Sequence, residues 1–251
     1  MTVALWPLGQ GVLGAILGSF IAALAIRWPE GRSVMRGRSA CDACGATLTP
    51  RELVPVVSYI VQRGRCRRCG ARIDPWHPGV ELAGVAIGVL AGFAAPGWDG
   101  VAGAVFGWLL LALAALDVRA FWLPDRLTGL LTVTGLASGL AGIAPTLDER
   151  LIGGIAGYGS LAAIAWGYRR WRGRDGMGGG DPKLMGAIGL WLGWRMLPAV
   201  LVIASLIGLG VALFARVRGA KVTADMPLPF GALLAIAAYA AWLAMIAFAA
   251  L

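Results

Sequence analysis

The sequence predicts an all-α polytopic membrane protein, with about eight transmembrane helices and one small cytoplasmic domain. Three observations predict it. Of the 251 residues, 59% are hydrophobic and 14% are charged, so most of the chain has no polar face to offer water. Eight stretches contain no Asp, Glu, Lys or Arg: residues 1–26, 82–98, 100–116, 127–147, 151–168, 184–194, 196–215 and 226–251. The third observation is the sidedness of the basic residues. If residues 28–77 are cytoplasmic and the spans alternate, 20 of the 22 Lys and Arg fall on that side, leaving out only Arg150 and Arg195.

A helix needs about 20 residues to cross about 30 Å of hydrocarbon, so most of the stretches can span, some of them with tilt or help from their flanks. The first, within residues 1–27, has no basic leader and no Ala-x-Ala-like site, and reads as a retained span with its N-terminus outside. Stretch 184–194 is short and only Arg195 separates it from the next, so the pair reads as two spans or as one span plus a re-entrant piece. Pro96, Gly97 and Pro145 mark turns on the outer side. Four-residue glycine spacings at Gly14/Gly18 and Gly135/Gly139 would let helices approach closely in lipid. The net charge of +9 follows from this topology, which makes anionic lipid the expected partner of the basic residues and nucleic acid an unnecessary one.

The polar segment 28–77 is too short to build a sizeable apolar core unaided. It holds all four cysteines, as Cys41-Asp42-Ala43-Cys44 and Cys66-Arg67-Arg68-Cys69. A two-residue spacing lets a tight turn aim both sulfurs at one ion, and two such knuckles complete a tetrahedral site, for which zinc is the expected metal. Two disulfides are the alternative, disfavoured in a reducing compartment. Four thiolates leave no position for catalytic water, so the metal is expected to hold the fold. The chain thus divides into a first transmembrane helix (1–27), a cytoplasmic four-cysteine zinc domain (28–77) and a transmembrane core (78–251).

Charges at membrane-span boundaries are candidates for chemistry. Asp117 ends the run 100–116, Asp125 follows in Leu123-Pro124-Asp125, and Asp181 stands in Gly178-Gly179-Gly180-Asp181-Pro182-Lys183. Two carboxylates close together share a proton, one acting as base on water, which is the arrangement of aspartic peptidases and needs no metal. The glycines before Asp181 would allow a substrate backbone or a second aspartate to approach. Asp125 and Asp181 could instead cap helices. Asp117 ends a helix, where the dipole disfavours an anion, and capping explains nothing there. His77 is the one histidine, so serine or cysteine triads would have to use it, and no phosphate-binding loop or dinucleotide fingerprint is present.

Nearly the whole chain resembles the bacterial type IV prepilin peptidases, which also serve type II secretion pseudopilins. Gly18-Ser19-Phe20 with Arg27 and Pro29 resembles the N-terminal box of that family, although Ala22 stands where it usually has Asn. The paired knuckles resemble its zinc domain, with Arg63-Gly64-Arg65 before Cys66; Pro78 with Glu81-Leu82 resembles the start of its second helix. Asp117 with Leu123-Pro124-Asp125, the Gly-rich run Gly176–Asp181 with Lys183, and Pro229-Phe230-Gly231 resemble its remaining motifs.

The resemblance implies Asp117 and Asp181 as the catalytic pair, with Asp125, Gly178, Gly180 and Lys183 in support and Cys41, Cys44, Cys66 and Cys69 on zinc. It implies removal of a short basic leader from prepilins or pseudopilins at the cytoplasmic face of the bacterial inner membrane, and methylation of the new N-terminus from S-adenosylmethionine. A peptidase without methyltransferase activity, a transporter with acidic residues in broken helices, and a scaffold that tolerates Asp181→Asn are the competing readings.

Overall fold

The computed structural model describes residues 5–219 and 227–249. Lys221, counted above with the cytoplasmic basic residues, lies outside them. The described residues are almost wholly helical, with two isolated β-bridges. They form two compact units, Met1–Arg119 and Ala120–Leu251.

The first unit contains α1 (Leu5–Arg27), the short α2 (Val57–Val61), α3 (Trp76–Ala94) and α4 (Trp98–Ala120). α1 and α3 run antiparallel with their backbones touching. A Cβ added at Gly18 would lie 2.7 Å from Glu81 Cα, one at Gly14 2.7 Å from the Gly84 carbonyl carbon, and one at Gly92 2.6 Å from Pro7 Cα. Real Cβ atoms do not come that close, so only glycine fits along this seam. The Gly14/Gly18 pair read from the sequence is met by Gly84 of α3, while Gly88 and Gly92 lie against Gln10 and Pro7 of α1. Trp108 Nε1 of α4 donates to the Gly84 carbonyl at 3.0 Å, fastening α4 to the pair.

The second unit contains α5 (Asp125–Leu140), α6 (Leu147–Arg172), α7 (Gly180–Leu192), α8 (Leu197–Val217) and α9 (Phe230–Ala249). The eight apolar stretches thus correspond to eight helices. Six of these segments are long and apolar enough to cross a membrane, which makes the chain a multi-pass membrane protein. α5 and α7, at 16 and 13 residues, fall short of the usual spanning length. The ambiguous pair 184–215 resolves into α7 and α8, broken by Gly193 at φ 72° and a 3-10 turn at Trp194–Met196.

α6 and α7 form a second glycine seam, in which a Cβ at Gly153 would lie 2.7 Å from the Gly193 carbonyl carbon and one at Gly157 2.5 Å from Met185 O. Gly135 and Gly139 do not bring backbones together. They make room for side chains, Gly135 for Trp191, whose Nε1 donates to Leu131 O at 2.8 Å, and Gly139 for Arg150.

Arg150 is fully buried and ties the far ends of three helices together. Its guanidinium donates to Pro145 O at 2.9 Å, Gly135 O at 2.9 Å, Leu190 O at 2.8 Å, and Ile143 O and Ala144 O at 3.0 Å. These carbonyls belong to α5, the α5–α6 turn and the last turn of α7. Carbonyls in a turn and in the last turn of a helix lack an intrahelical donor, and a planar five-donor cation can serve several of them at once.

Candidate functional site

The two cysteine knuckles are built alike. Both read Cys-x-x-Cys-Gly-Ala, at Cys41–Ala46 and Cys66–Ala71. In each, the N–H of the first cysteine donates to the alanine carbonyl (Cys41 to Ala46 at 3.0 Å, Cys66 to Ala71 at 2.8 Å) and the glycine N–H returns to the first cysteine (2.8 and 2.9 Å). Gly45 and Gly70 adopt φ of 68° and 72°, a left-handed turn that other residues resist. The antiparallel bridges Ala40–Thr47 and Arg65–Arg72 close the two loops. The repeated Gly-Ala was a sequence signal that the Cys-x-x-Cys spacing alone does not use.

All four Sγ atoms lie within 4.8 Å of one another, and Cys41 Sγ is 3.9 Å from Cys69 Sγ across the knuckles. Tetrahedral bonds of about 2.3 Å put sulfurs about 3.8 Å apart, so the cluster could hold one metal ion with little movement. The cysteines are free thiols, with no disulfide among the described residues. The backbone N–H groups of Cys69 and Arg68 bring the Cys66 thiol down to about 7. Cys69 is pushed up to about 11: the Ala71 N–H favours its thiolate, but the facing thiols and desolvation outweigh it. One thiolate therefore hinders the next, a conflict that a dication bound between them removes.

The aspartates lie at helix ends. Asp117 is 5% exposed in the last turn of α4, and Asp181 is 6% exposed in the first turn of α7. Glu81 of α3, 7% exposed, is the other buried acid among the described residues. Asp181 Oδ2 accepts the Gly178 N–H at 3.1 Å, turning the glycine loop back onto its own carboxylate. A Cβ at Gly180 would lie 2.8 Å from Leu123 Cβ, so the loop packs on the Leu123-Pro124 turn. Gly176 likewise makes room for the Tyr168 ring, and of these glycines only Gly179 faces open space. Crowding within the unit, more than access for a substrate, accounts for most of the run.

Asp125 is in the first turn of α5, after an N-cap position held by Pro124, and is exposed. Its Oδ1 accepts from Lys183 Nζ at 2.7 Å, joining the starts of α5 and α7. The sequence placed both residues at the boundary without pairing them. An exposed ion pair of this kind contributes about 0–1 kcal/mol. Within the first unit, Arg119 lies 5.1 Å over the Trp76 ring and 3.8 Å from Asp74, bracing the last turn of α4 against the start of α3.

A multi-pass helical membrane protein with a four-thiol cluster that could hold a metal ion and buried aspartates at its helix ends is a narrow class, and comparison with known proteins narrows it further. The bacterial peptidase A24 N-terminal domain matches residues 12–94, which hold the cysteines, and the type IV leader peptidase family matches residues 104–213, which hold Asp117 and Asp181. A protein of Aeromonas hydrophila named prepilin leader peptidase/N-methyltransferase is 38% identical over 219 residues, covering 85% of this chain and 73% of that protein. Proteins of the same name from Burkholderia pseudomallei and Dickeya chrysanthemi are 46% identical over 202 residues and 36% identical over 256. Those matches cover 79% and 92% of this chain, and 64% and 90% of the relative. The match therefore spans less than two thirds of the Burkholderia protein's length. No solved structure matches the chain. The chain belongs to the type IV leader peptidase family.

Proposed function

We propose that this chain is an aspartic endopeptidase of the bacterial inner membrane that removes the short basic leader of type IV prepilins or type II secretion pseudopilins on the cytoplasmic side, and then methylates the new N-terminus. The observation that carries the reading is the burial of Asp117 and Asp181, each at the end of an apolar helix. Burying a carboxylate is costly, and a helix end at a membrane boundary bears that cost where chemistry on a chain leaving the bilayer requires it.

In the proposed reaction one aspartate takes a proton from water as the oxygen adds to the scissile carbonyl. The other gives its proton to the departing amide nitrogen, and the C–N bond breaks. S-adenosylmethionine, when bound, supplies a methyl group to the amine nitrogen; the C–S bonding pair stays on sulfur and nitrogen releases a proton. Residues 28–77 act as the zinc domain, with Cys41, Cys44, Cys66 and Cys69 as structural ligands, and residues 78–251 as the peptidase core.

Incubating the purified protein with a prepilin carrying a basic leader, followed by mass analysis of the product N-terminus, tests both activities. Cleavage with an added methyl group is expected. Cleavage without it would leave the peptidase alone, and an intact substrate would reject the reading.

Two further outcomes follow from the same reading. Protein prepared without chelators is expected to hold one zinc per chain, and Cys41→Ser is expected to lose the metal and to open residues 28–77 to proteolysis before the membrane helices. Zinc content near zero would reject the zinc assignment. Reporter fusions are expected to place residues 28–77, 118–126 and 169–183 in the cytoplasm, and an external signal near Gly178 would separate Asp181 from Asp117 across the membrane.

A further inference from the structure

Residues 28–77 read from the sequence as a polar segment, yet they expose one run of large apolar side chains. Leu53, Val54, Val57, Ile60 and Val61 are between 42% and 67% exposed. In α2, Val57, Ile60 and Val61 share one face by their i, i+3, i+4 spacing, and Leu53 and Val54 lead into it from the preceding 3-10 turn. Ser58, Tyr59 and Gln62 take the other face and line a cavity of about 840 Å³ within the first unit. A contiguous apolar surface of this kind marks a contact with another molecule or another phase.

The level of the run is set by α3. Glu81, buried in that helix, accepts the Val56 N–H through Oε2 at 2.7 Å. At 1.5 Å per residue, Glu81 lies about 7 Å along α3 from Trp76. On α1, Gly18 lies against Glu81, and the next charge toward residues 28–77 is Arg27, about 13 Å farther along. Both helices are long and apolar enough to span a bilayer, so Val56 is held at a level inside their apolar length. Leu82, beside Glu81, is 53% exposed and continues the apolar surface on α3.

The backbone suits that level. Val56 adopts φ 63° and ψ −52°, which a β-branched residue resists, in a three-residue turn closed by the Val57 N–H on Pro55 O at 2.6 Å. The Ser58 N–H donates to Val54 O at 2.9 Å. Donors at the start of a helix are ordinarily left to water, whereas those of residues 56, 57 and 58 all have protein acceptors, as hydrocarbon requires. Charge agrees. Glu52, the one acid between residues 49 and 65, is folded back on the Thr49 N–H and hydroxyl at 2.8 Å each, and exposed Arg51 and Arg63 bracket the run.

The geometry points to a membrane-seated face: α2 lies in the bilayer boundary beside α1 and α3, with Leu53, Val54, Val57, Ile60 and Val61 against acyl chains and Arg51 and Arg63 at the headgroups of anionic lipid. The four-cysteine domain then rests on the membrane through α2 as well as through its two covalent ends. The inference rests on the multi-pass character of the chain and on neither proposed activity.

Benzoylphenylalanine placed at Val57, Ile60 or Val61 of the full chain, in nanodiscs of equal parts phosphatidylglycerol and phosphatidylcholine, tests it by photocrosslinking and mass analysis. The label reacts with C–H bonds within its reach and leaves the four cysteines untouched. Lipid adducts at the three positions are expected at about the yield found at Leu82, and about tenfold above the yield at inward Tyr59 or at exposed Asp42 of the first knuckle. Phosphatidylglycerol adducts are expected to outnumber phosphatidylcholine adducts about fivefold, and Arg51→Gln/Arg63→Gln is expected to remove the preference. Metal content and melting temperature report whether each labelled chain is folded. Yields no higher than at Asp42 would overturn the proposal, as would adducts to the chain itself or, with prepilin added, capture of prepilin in place of lipid. Equal adduction of the two lipids would overturn the placing of the arginines at anionic headgroups.

Discussion

Asp117→Asn and Asp181→Asn are each expected to lower prepilin cleavage by about 10³-fold or more, because each removes one half of an acid–base cycle. The double variant should be no worse than either single one, as residues acting as a unit lose their function together. Folding should survive, since Asn has nearly the shape of Asp and can still accept the Gly178 N–H that Asp181 now accepts. Asp125→Asn should cost much less, its carboxylate being exposed and engaged with Lys183. Initial rates on a purified prepilin, with circular dichroism of each variant, measure all four. Near-normal cleavage by Asp181→Asn would remove the aspartic mechanism. Near-normal cleavage by Asp117→Asn alongside loss in Asp125→Asn would show that Asp125 is the first aspartate.

Arg150→Met is expected to be strongly destabilising, by about 3 kcal/mol or more, since each buried carbonyl left without a donor costs about 1–3 kcal/mol. The variant would take a donor from five carbonyl oxygens in a region where water is scarce, only Gly135 O keeping a second side-chain donor, Ser138 Oγ. Arg150→Lys should rescue little, because an ammonium has three donors on one atom and cannot reach carbonyls on three elements at once. Denaturant titration in mild detergent, followed by tryptophan fluorescence, reads the change. An unaltered midpoint for Arg150→Met would show that the guanidinium network is not a determinant of the fold.

The helices were legible because bilayers exclude charge, so runs without Asp, Glu, Lys or Arg report themselves. Their lengths were less so. The uncharged run 127–147 does not show that α5 stops at Leu140, nor the run 184–194 that Gly193 ends α7, and a glycine of positive φ follows each helix, Gly142 and Gly193. The four-cysteine cluster was legible because the geometry of each knuckle is set within four residues. Features set by distant residues were not. Arg150 read only as an exception to charge sidedness until three sets of carbonyls closed around it. Glu81 read as part of a motif, and its hydrogen bond from the Val56 N–H joins residues 25 apart. The pairing of Asp125 with Lys183 spans 58 residues. The Gly-rich run before Asp181 carried the right emphasis for an incomplete reason, since Leu123 and Tyr168 supply the crowding that calls for glycine.

The two glycine seams also govern how this chain can vary. Any missense change at a glycine codon adds at least a Cβ, and along α1/α3 and α6/α7 that atom would fall on neighbouring backbone, which cannot step aside as a side chain can. In a saturation screen scored for membrane-inserted protein, Gly14, Gly84, Gly153 and Gly189 should therefore form bands in which even alanine fails, while exposed positions such as Leu8 or Phe93 accept any apolar replacement. For these helices the permitted alphabet is narrowest where the residue is smallest.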